Sequence, residues 1–423
     1  MSKLIINGPN VVTGEIAVQG AKNSVLPILA ATLLANEVSV IKNCPDISDV
    51  SATVEILLHL GCKVTRRGSG EIEIDPSSAS GVDIPYNLMR GMRSSVIMLG
   101  PILARMGRAK VSYPGGCELG PRPIDLHISS FQKLGVKFAE EYGFIYSVCD
   151  KMIGTEINLT FPSVGATENI MLLASKVPGQ TVIHNAAREP EIEDLQSFLN
   201  SMGANITGAG DNTIYIEGVE TLHGAEHSII PDRIAAATYM IAAAITGGKL
   251  IIKSVRPRDL NSVISLLEES GAQIRTDENR ILIDRKRPIQ PIRMVRTMPY
   301  PGFPTDALAP LMAYSTVASG NSMYVETIFQ NRYKHAEELM RMGANIKVEG
   351  RVALVQGVPR LTGANVVATD LRGGVALVLA ALAANGETTI DNSELIDRGY
   401  ENIETNLQSL GCKIRKVDVV EKS

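Results

Sequence analysis

The sequence predicts an α/β fold of two pseudo-symmetric lobes, each built from three repeats, and three observations lead there. The first is an internal period. A helical pattern closed by Gly and followed by a strand occurs six times: ILLHLGCKV at Gly61, SFQKLGVKF at Gly135, FLNSMGANI at Gly203, LLEESGAQI at Gly271, ELMRMGANI at Gly343 and NLQSLGCKI at Gly411. These glycines lie 74, 68, 68, 72 and 68 residues apart. The second is a more apolar helical stretch upstream of each unit: NSVLPILAATLLA, RSSVIMLGPILARM, TENIMLLASKV, DRIAAATYMIAAAIT, TDALAPLMAYSTV and RGGVALVLAALAAN. The third is length. Six such units in 423 residues are too many for one core, because single cores stop growing near ~250–300 residues.

Each element of a repeat has its own justification. The upstream stretches are apolar nearly all round, so they form buried helices, whereas the helices before the glycines carry charge on one face and lie outside. A turn and a short strand follow each buried helix, as in GQTVIHN or GKLIIKS. The Gly after each outer helix suits a left-handed C-terminal cap, where a missing Cβ removes the steric penalty. In most copies the next residues alternate, turn and alternate again, as in ANITGAGDNTIYIEG and AQIRTDENRILIDR, which reads as a β-hairpin. A repeat is therefore βαβαββ-like. Three repeats per lobe place residues 21–230 in the first lobe and residues 1–20 plus 231–423 in the second. A single strand expected over residues 3–18 precedes the first buried helix and is expected to join the C-terminal lobe.

Composition excludes several function classes. With 41 Lys+Arg against 45 Asp+Glu the net charge is -4, so no basic field exists to hold nucleic acid. Aromatic residues make up 4% with no Trp, which offers no stacking platform for single strands. The longest apolar runs, 25–35 and 375–384, are about half of the ~20 residues that a membrane span needs. The N-terminus MSKLIINGPN carries no apolar signal region, so a cytoplasmic protein is expected. Cys44, Cys62, Cys117, Cys149 and Cys412 are scattered without a CxxC spacing, and the six histidines form no HExxH. No disulfide framework, metal site or cofactor is expected.

The candidate site begins at the starts of the buried helices. There sit Lys22 and Asn23, Arg93 and Ser94, Ser163 with the residues up to Asn169, Asp232 and Arg233, Thr305 and Asp306, and Arg372. Helix N-termini present unpaired N–H groups and a partial positive charge, and so attract anions. N-capping accounts for Ser163 or Thr305. It does not account for Lys22, Arg93 or Arg372, because a cation at a helix N-terminus is unfavourable unless an anion visits. These groups are expected to converge on the mouth between the lobes and bind a phosphate- or carboxylate-bearing substrate. The second feature is the segment YPGGCELGPRPIDLH, residues 113–127. Cys117 there lies among Gly and Pro with no apolar periodicity to bury it, which marks a chemical residue, and Arg122 favours its thiolate. Cys62 and Cys412, each next to a repeat Gly, read as core, and Cys44 and Cys149 show no partners.

The segments GAKNSVLP, MRSS, PGGCELGPRPIDLH, SVGATEN, PGFPTD, ETIFQNR and IDRGYE, in this order along nearly the whole chain, resemble those of the UDP-N-acetylglucosamine 1-carboxyvinyltransferase family. The resemblance implies a two-lobed inside-out α/β barrel of the enolpyruvyl transferase type. It also implies transfer of the enolpyruvyl group of phosphoenolpyruvate to the 3′-hydroxyl of UDP-N-acetylglucosamine in an interdomain cleft, with release of phosphate. That reaction is the first committed step of peptidoglycan synthesis, on which cell wall, cell shape and cell division depend. Carried onto matching positions, Cys117 is the proton donor to the methylene carbon and the site of a covalent phosphoenolpyruvate adduct. Lys22, Arg122 and Arg398 hold the phosphate and carboxylate of phosphoenolpyruvate. Asn23, Arg93, Arg122, Pro123, Ile124, Asp125, Leu126, Ser163, Val164, Gly165, Ile328 and Arg372 contact substrate, and Asp306 is the base at the 3′-hydroxyl.

These residue types suit the chemistry. Protonating an alkene carbon needs a positioned acid, an attacking alcohol needs a base, and a departing phosphate needs cations. Ordinary readings stand beside three members: Asp125 as a helix cap, Ile328 as partly core, and Arg372 as a structural ion pair with Asp370. Four positions depart from the family pattern: Glu118 beside the thiol, Leu308 where many members have glutamine, Leu395 where a histidine is frequent, and Phe161 at a place that is Lys in some members. Two rival functions are a shikimate-phosphate enolpyruvyl transferase, disfavoured by Cys117 and the RPIDL segment, and a regulatory binding paralogue, disfavoured by intact Cys117, Asp306, Lys22 and Arg398.

Overall fold

Alanine, leucine, isoleucine and valine on every side of a helical stretch leave no face for water, so such stretches fold inward. In the computed structural model, which describes residues 2–68, 70–91, 93–112, 124–285 and 288–418 (the backbone alone for 90, 91, 93 and 94), all six do. They form the helices Lys22–Ala31, Leu99–Met106, Val164–Ala174, Arg233–Thr246, Leu308–Ser315 and Leu371–Ala383. Every residue from Ile234 to Ile245 is buried, as is every residue from Arg372 to Leu382. Two of the helices start later than their apolar pattern. A 3-10 turn, Arg93–Met98 or Thr305–Ala307, comes first, and the α-helix begins two residues before Pro101 or Pro310. Proline lacks an N–H, which the first turn of a helix does not need, so the helix resets to put proline there.

The outer helices Ser48–His59, Asp125–Lys133, Pro190–Ser201, Asn261–Glu269, His335–Arg341 and Ile403–Ser409 precede the six glycines. Those glycines have φ between 88° and 102°, in the left-handed region. At Gly61 the N–H donates to Leu58 C=O and that of Cys62 to Leu57 C=O, and the same pair of bonds closes each of the other five helices. This is the Schellman cap. One backbone solution thus turns the chain from outer helix to the following strand six times.

Among the described residues the strands form six four-stranded sheets. Each has one parallel and two antiparallel pairings. In one, Glu156–Asn158 runs parallel to Gln180–His184, which pairs antiparallel with Thr213–Glu217, the second strand of a hairpin begun by Asn205–Thr207. Residues 3–18 form two strands, not the single one expected. Pro9 has no N–H for a ladder and stands between Ser2–Gly8 and Thr13–Ala17. Ser2–Gly8 takes the hairpin place between Gly386–Asp391 and Ile414–Asp418, and Thr13–Ala17 runs parallel to Lys249–Lys253.

The chain divides into two compact units, residues 2–19 with 231–418 and residues 20–112 with 124–230. Each has its own apolar core, centred on its three buried helices. Among the described residues no helix is long and apolar enough to cross a membrane.

Candidate active site

In the unit of residues 20–230, Lys22 opens the first buried helix and is itself buried. Its Nζ lies 2.7 Å from Oδ2 of Asp49, in the first turn of the next helix, with side chains 11% and 3% exposed. Burial of both groups is tolerable because the charges face each other. Asn23, the second residue of that helix, is half-buried. Ser163 is the N-cap of Val164–Ala174, its hydroxyl accepting the Ala166 N–H at 3.3 Å. Val164 and Gly165 form the half-buried first turn beside it.

The helix Asp125–Lys133 packs against this one. Its N-cap is Ile124, while Asp125 is exposed in the first turn and makes no cap bond, so the ordinary reading of Asp125 as a cap is corrected. Ile124 is buried and Leu126 half-buried. Buried His127 meets Asn169, whose Nδ2 donates to His127 Nδ1 at 2.9 Å and to Val96 C=O, while Asn169 Oδ1 accepts the Gly100 N–H. The proton of neutral His127 therefore sits on Nε2, and a Cβ added at Gly165 would stand 3.6 Å from that nitrogen. Burial pushes His127 down to about 4, against a small opposing pull from Asp125.

That shift gives a pH dependence with a fixed sign. An unfolded chain protonates His127 as pH falls through ~6.5, whereas the native protein resists until about 4, so its contribution is complete above ~6.5 and lost between these values. His127→Gln should flatten the rise of unfolding free energy with pH by about one proton across that window. Urea unfolding at a series of pH values checks this, and identical slopes for parent and variant would count against it.

In the other unit the central group is Asp306, in the 3-10 turn Thr305–Ala307. Its Oδ1 accepts from Arg332 Nη2 at 2.9 Å and its Oδ2 from Arg372 Nη2 at 3.0 Å. Both arginines are buried, while 26% of the Asp306 side chain stays exposed. Arg332 also donates to Thr305 C=O through Nε and Nη2. Arg372 Nη1 donates to Tyr400 Oη, which is 2.8 Å from Thr238 Oγ1. Burial works against the Arg372 charge, but Asp306 and its other neighbours outweigh this and raise its pKa.

Two ordinary readings are corrected here. Asp370 binds the Arg372 and Gly373 backbone N–H groups as N-cap, and the Arg372 guanidinium goes to Asp306. Thr305 is not a cap, since its hydroxyl donates to Glu326 Oε2 at 2.8 Å. Ile328 is half-buried and its N–H donates to Glu326 Oε1. Arg398 ends the 3-10 helix Ser393–Arg398, two residues before Tyr400, and is half-buried. Arg332 and Tyr400 join the hydrogen-bonded group around Asp306 and Arg372, and the sequence marks them only as members of ETIFQNR and IDRGYE. A buried arginine next to Asp306 leaves no periodic trace, so only the motif itself signals it.

Cys117, Glu118, Arg122 and Pro123 lie outside the described residues, as does the side chain of Arg93. Burial pushes the thiols of Cys62 and Cys412 up to about 11 and that of Cys44 up to about 12, so these three behave as small core residues. Leu308 is fully buried in the core, Leu395 packs against it, and Phe161 is exposed.

The profile of the EPSP synthase (3-phosphoshikimate 1-carboxyvinyltransferase) family matches residues 6–407. At the sequence level the chain is 53% identical over 417 residues to UDP-N-acetylglucosamine 1-carboxyvinyltransferase 2 of Caldanaerobacter subterraneus subsp. tengcongensis, covering 99% of this chain and 100% of that one. The chain belongs to the UDP-N-acetylglucosamine 1-carboxyvinyltransferases. It is a transferase, and its two-lobed fold is that of the enolpyruvyl transferases. The enolpyruvyl transferase NikO of Streptomyces tendae superposes with a TM-score of 0.89 at 25% identity, over 98% of both chains. EPSP synthase of Acinetobacter baumannii superposes at 0.75 with 18% identity, over 99% of this chain and 100% of that one, a likeness of fold alone. Within the wider family, the sequence thus stands with the UDP-N-acetylglucosamine 1-carboxyvinyltransferases.

Proposed function

We propose that this chain transfers the enolpyruvyl group of phosphoenolpyruvate to the 3′-hydroxyl of UDP-N-acetylglucosamine, releasing phosphate, as the first committed step of peptidoglycan synthesis in the cytoplasm. The observation that carries the reading is the 53% identity along the full length of a protein named for this reaction. The geometry around Asp306 supports it. Two buried guanidinium groups orient a carboxylate that still reaches solvent, as a base for an incoming hydroxyl must.

In the proposed reaction the 3′-oxygen bonds to C2 of phosphoenolpyruvate and gives its proton to Asp306, while Cys117 protonates C3. The tetrahedral adduct then loses a proton from C3 and breaks its C2–O bond to phosphate, which restores the double bond. Lys22, Arg122 and Arg398 bind the phosphate and carboxylate; arginine suits bidentate oxyanions and lysine supplies a compact charge. Asn23, Arg93, Pro123, Ile124, Asp125, Leu126, Ser163, Val164, Gly165 and Ile328 complete the binding of substrate. Arg372 serves through Asp306. Product analysis tests the reading: the nucleotide sugar should gain an enolpyruvyl ether on its 3′-oxygen, one for each phosphate released. Phosphate release with unaltered nucleotide sugar would overturn it.

A further inference from the structure

Glu326 directly follows the strand Asn321–Val325 and is 1% exposed. Stripping a carboxylate of water is costly unless hydrogen bonds replace it. Four donors do so. Oε1 accepts from Thr297 Oγ1 at 3.0 Å, Ile328 N at 2.6 Å and Phe329 N at 3.0 Å, and Oε2 accepts from Thr305 Oγ1 at 2.8 Å. Thr297 in turn holds Thr327 through both its hydroxyl and its carbonyl. One buried charge thus joins the end of the strand Met294–Arg296, the turn carrying Asp306, and the turn carrying Ile328. Thr305 is gripped at both ends, its hydroxyl by Glu326 and its carbonyl by Arg332, and Arg332 also binds Asp306.

We propose that Glu326 is a positioning residue for the reaction: through Thr305 it fixes the direction of the Asp306 carboxylate, and through two backbone N–H groups it fixes the turn at Ile328. This rests on the reading of Asp306 as base. A carboxylate is needed because it only accepts, and neither the Ile328 nor the Phe329 N–H can reverse its bond.

Glu326→Ala removes all four bonds and is a poor probe, so the test cuts the single bond toward Asp306. Thr305→Val should lower kcat by about 10- to 100-fold, the scale on which small misplacements of a reacting group act. KM for UDP-N-acetylglucosamine should hold, because Ile328 and Phe329 keep their bonds to Glu326. Thr305→Ser, which retains the hydroxyl, should regain most of the rate. In an Asp306→Asn background Thr305→Val should cause no further loss, since the group it aims is already gone. Equal losses of kcat in both backgrounds, or a rise in KM matching the fall in kcat, would overturn the role of Glu326 while leaving Asp306 as base. An Asp306→Asn protein as active as the parent would instead overturn the assignment of Asp306, and a role exerted through it would fall too.

Discussion

Replacing Asp306 by Asn is expected to leave the fold standing and to remove between about 100- and 10,000-fold of turnover, the usual contribution of a general base. An amide has the same shape as the carboxylate but accepts no proton at neutral pH. It can satisfy one guanidinium through its oxygen while its NH2 group opposes the other. Neither arginine is left stranded, because Arg332 keeps the Thr305 carbonyl and Arg372 keeps the Tyr400 hydroxyl. The loss should therefore fall on kcat. Circular dichroism and calorimetric binding of UDP-N-acetylglucosamine separate it from unfolding, and near-parental kcat in a folded variant would refute the assignment.

The second large effect separates two jobs of a thiol at position 117. If Cys117 acts chiefly as an acid toward carbon, Cys117→Asp should keep substantial activity, since a carboxylic acid of similar reach donates a proton when its surroundings leave it partly protonated. Cys117→Ser should fail, because a hydroxyl is far too weak an acid. An obligatory thiol adduct predicts that both variants fail alike, as Asp cannot reproduce the sulfur linkage. A folded, substrate-binding Cys117→Asp protein with no turnover at any pH from mildly acidic to neutral, beside an active Cys117→Ser, would sink the acid role. The buried thiols of Cys44, Cys62 and Cys412 give a built-in control, since an electrophile that mimics phosphoenolpyruvate should spare them.

How much of this was legible in the sequence depended on the range of the interaction concerned. The six capping glycines and the buried helices were legible because their causes are local: a left-handed residue and an apolar stretch leave marks within a few positions. The start of the helix Leu308–Ser315 was blurred because Pro310 resets it after an apolar pattern that had already begun. At the site, Lys22 and Arg372 stood out as cations at helix N-termini, yet their partners did not. Asp370 is two positions from Arg372 and looked like its ion partner, but it caps the helix, and the guanidinium reaches Asp306, 66 residues away in sequence. Glu326 and Arg332 both lie in ETIFQNR, and only the folded turn shows that one accepts from the Thr305 hydroxyl and the other donates to Asp306.

The most direct test of the central claim is the choice of acceptor. Purified protein is given phosphoenolpyruvate with either UDP-N-acetylglucosamine or shikimate-3-phosphate, and released phosphate is followed over time. Rapid release with the nucleotide sugar and none above background with the shikimate phosphate is the predicted result. Release with shikimate-3-phosphate alone, or with neither acceptor, would contradict it.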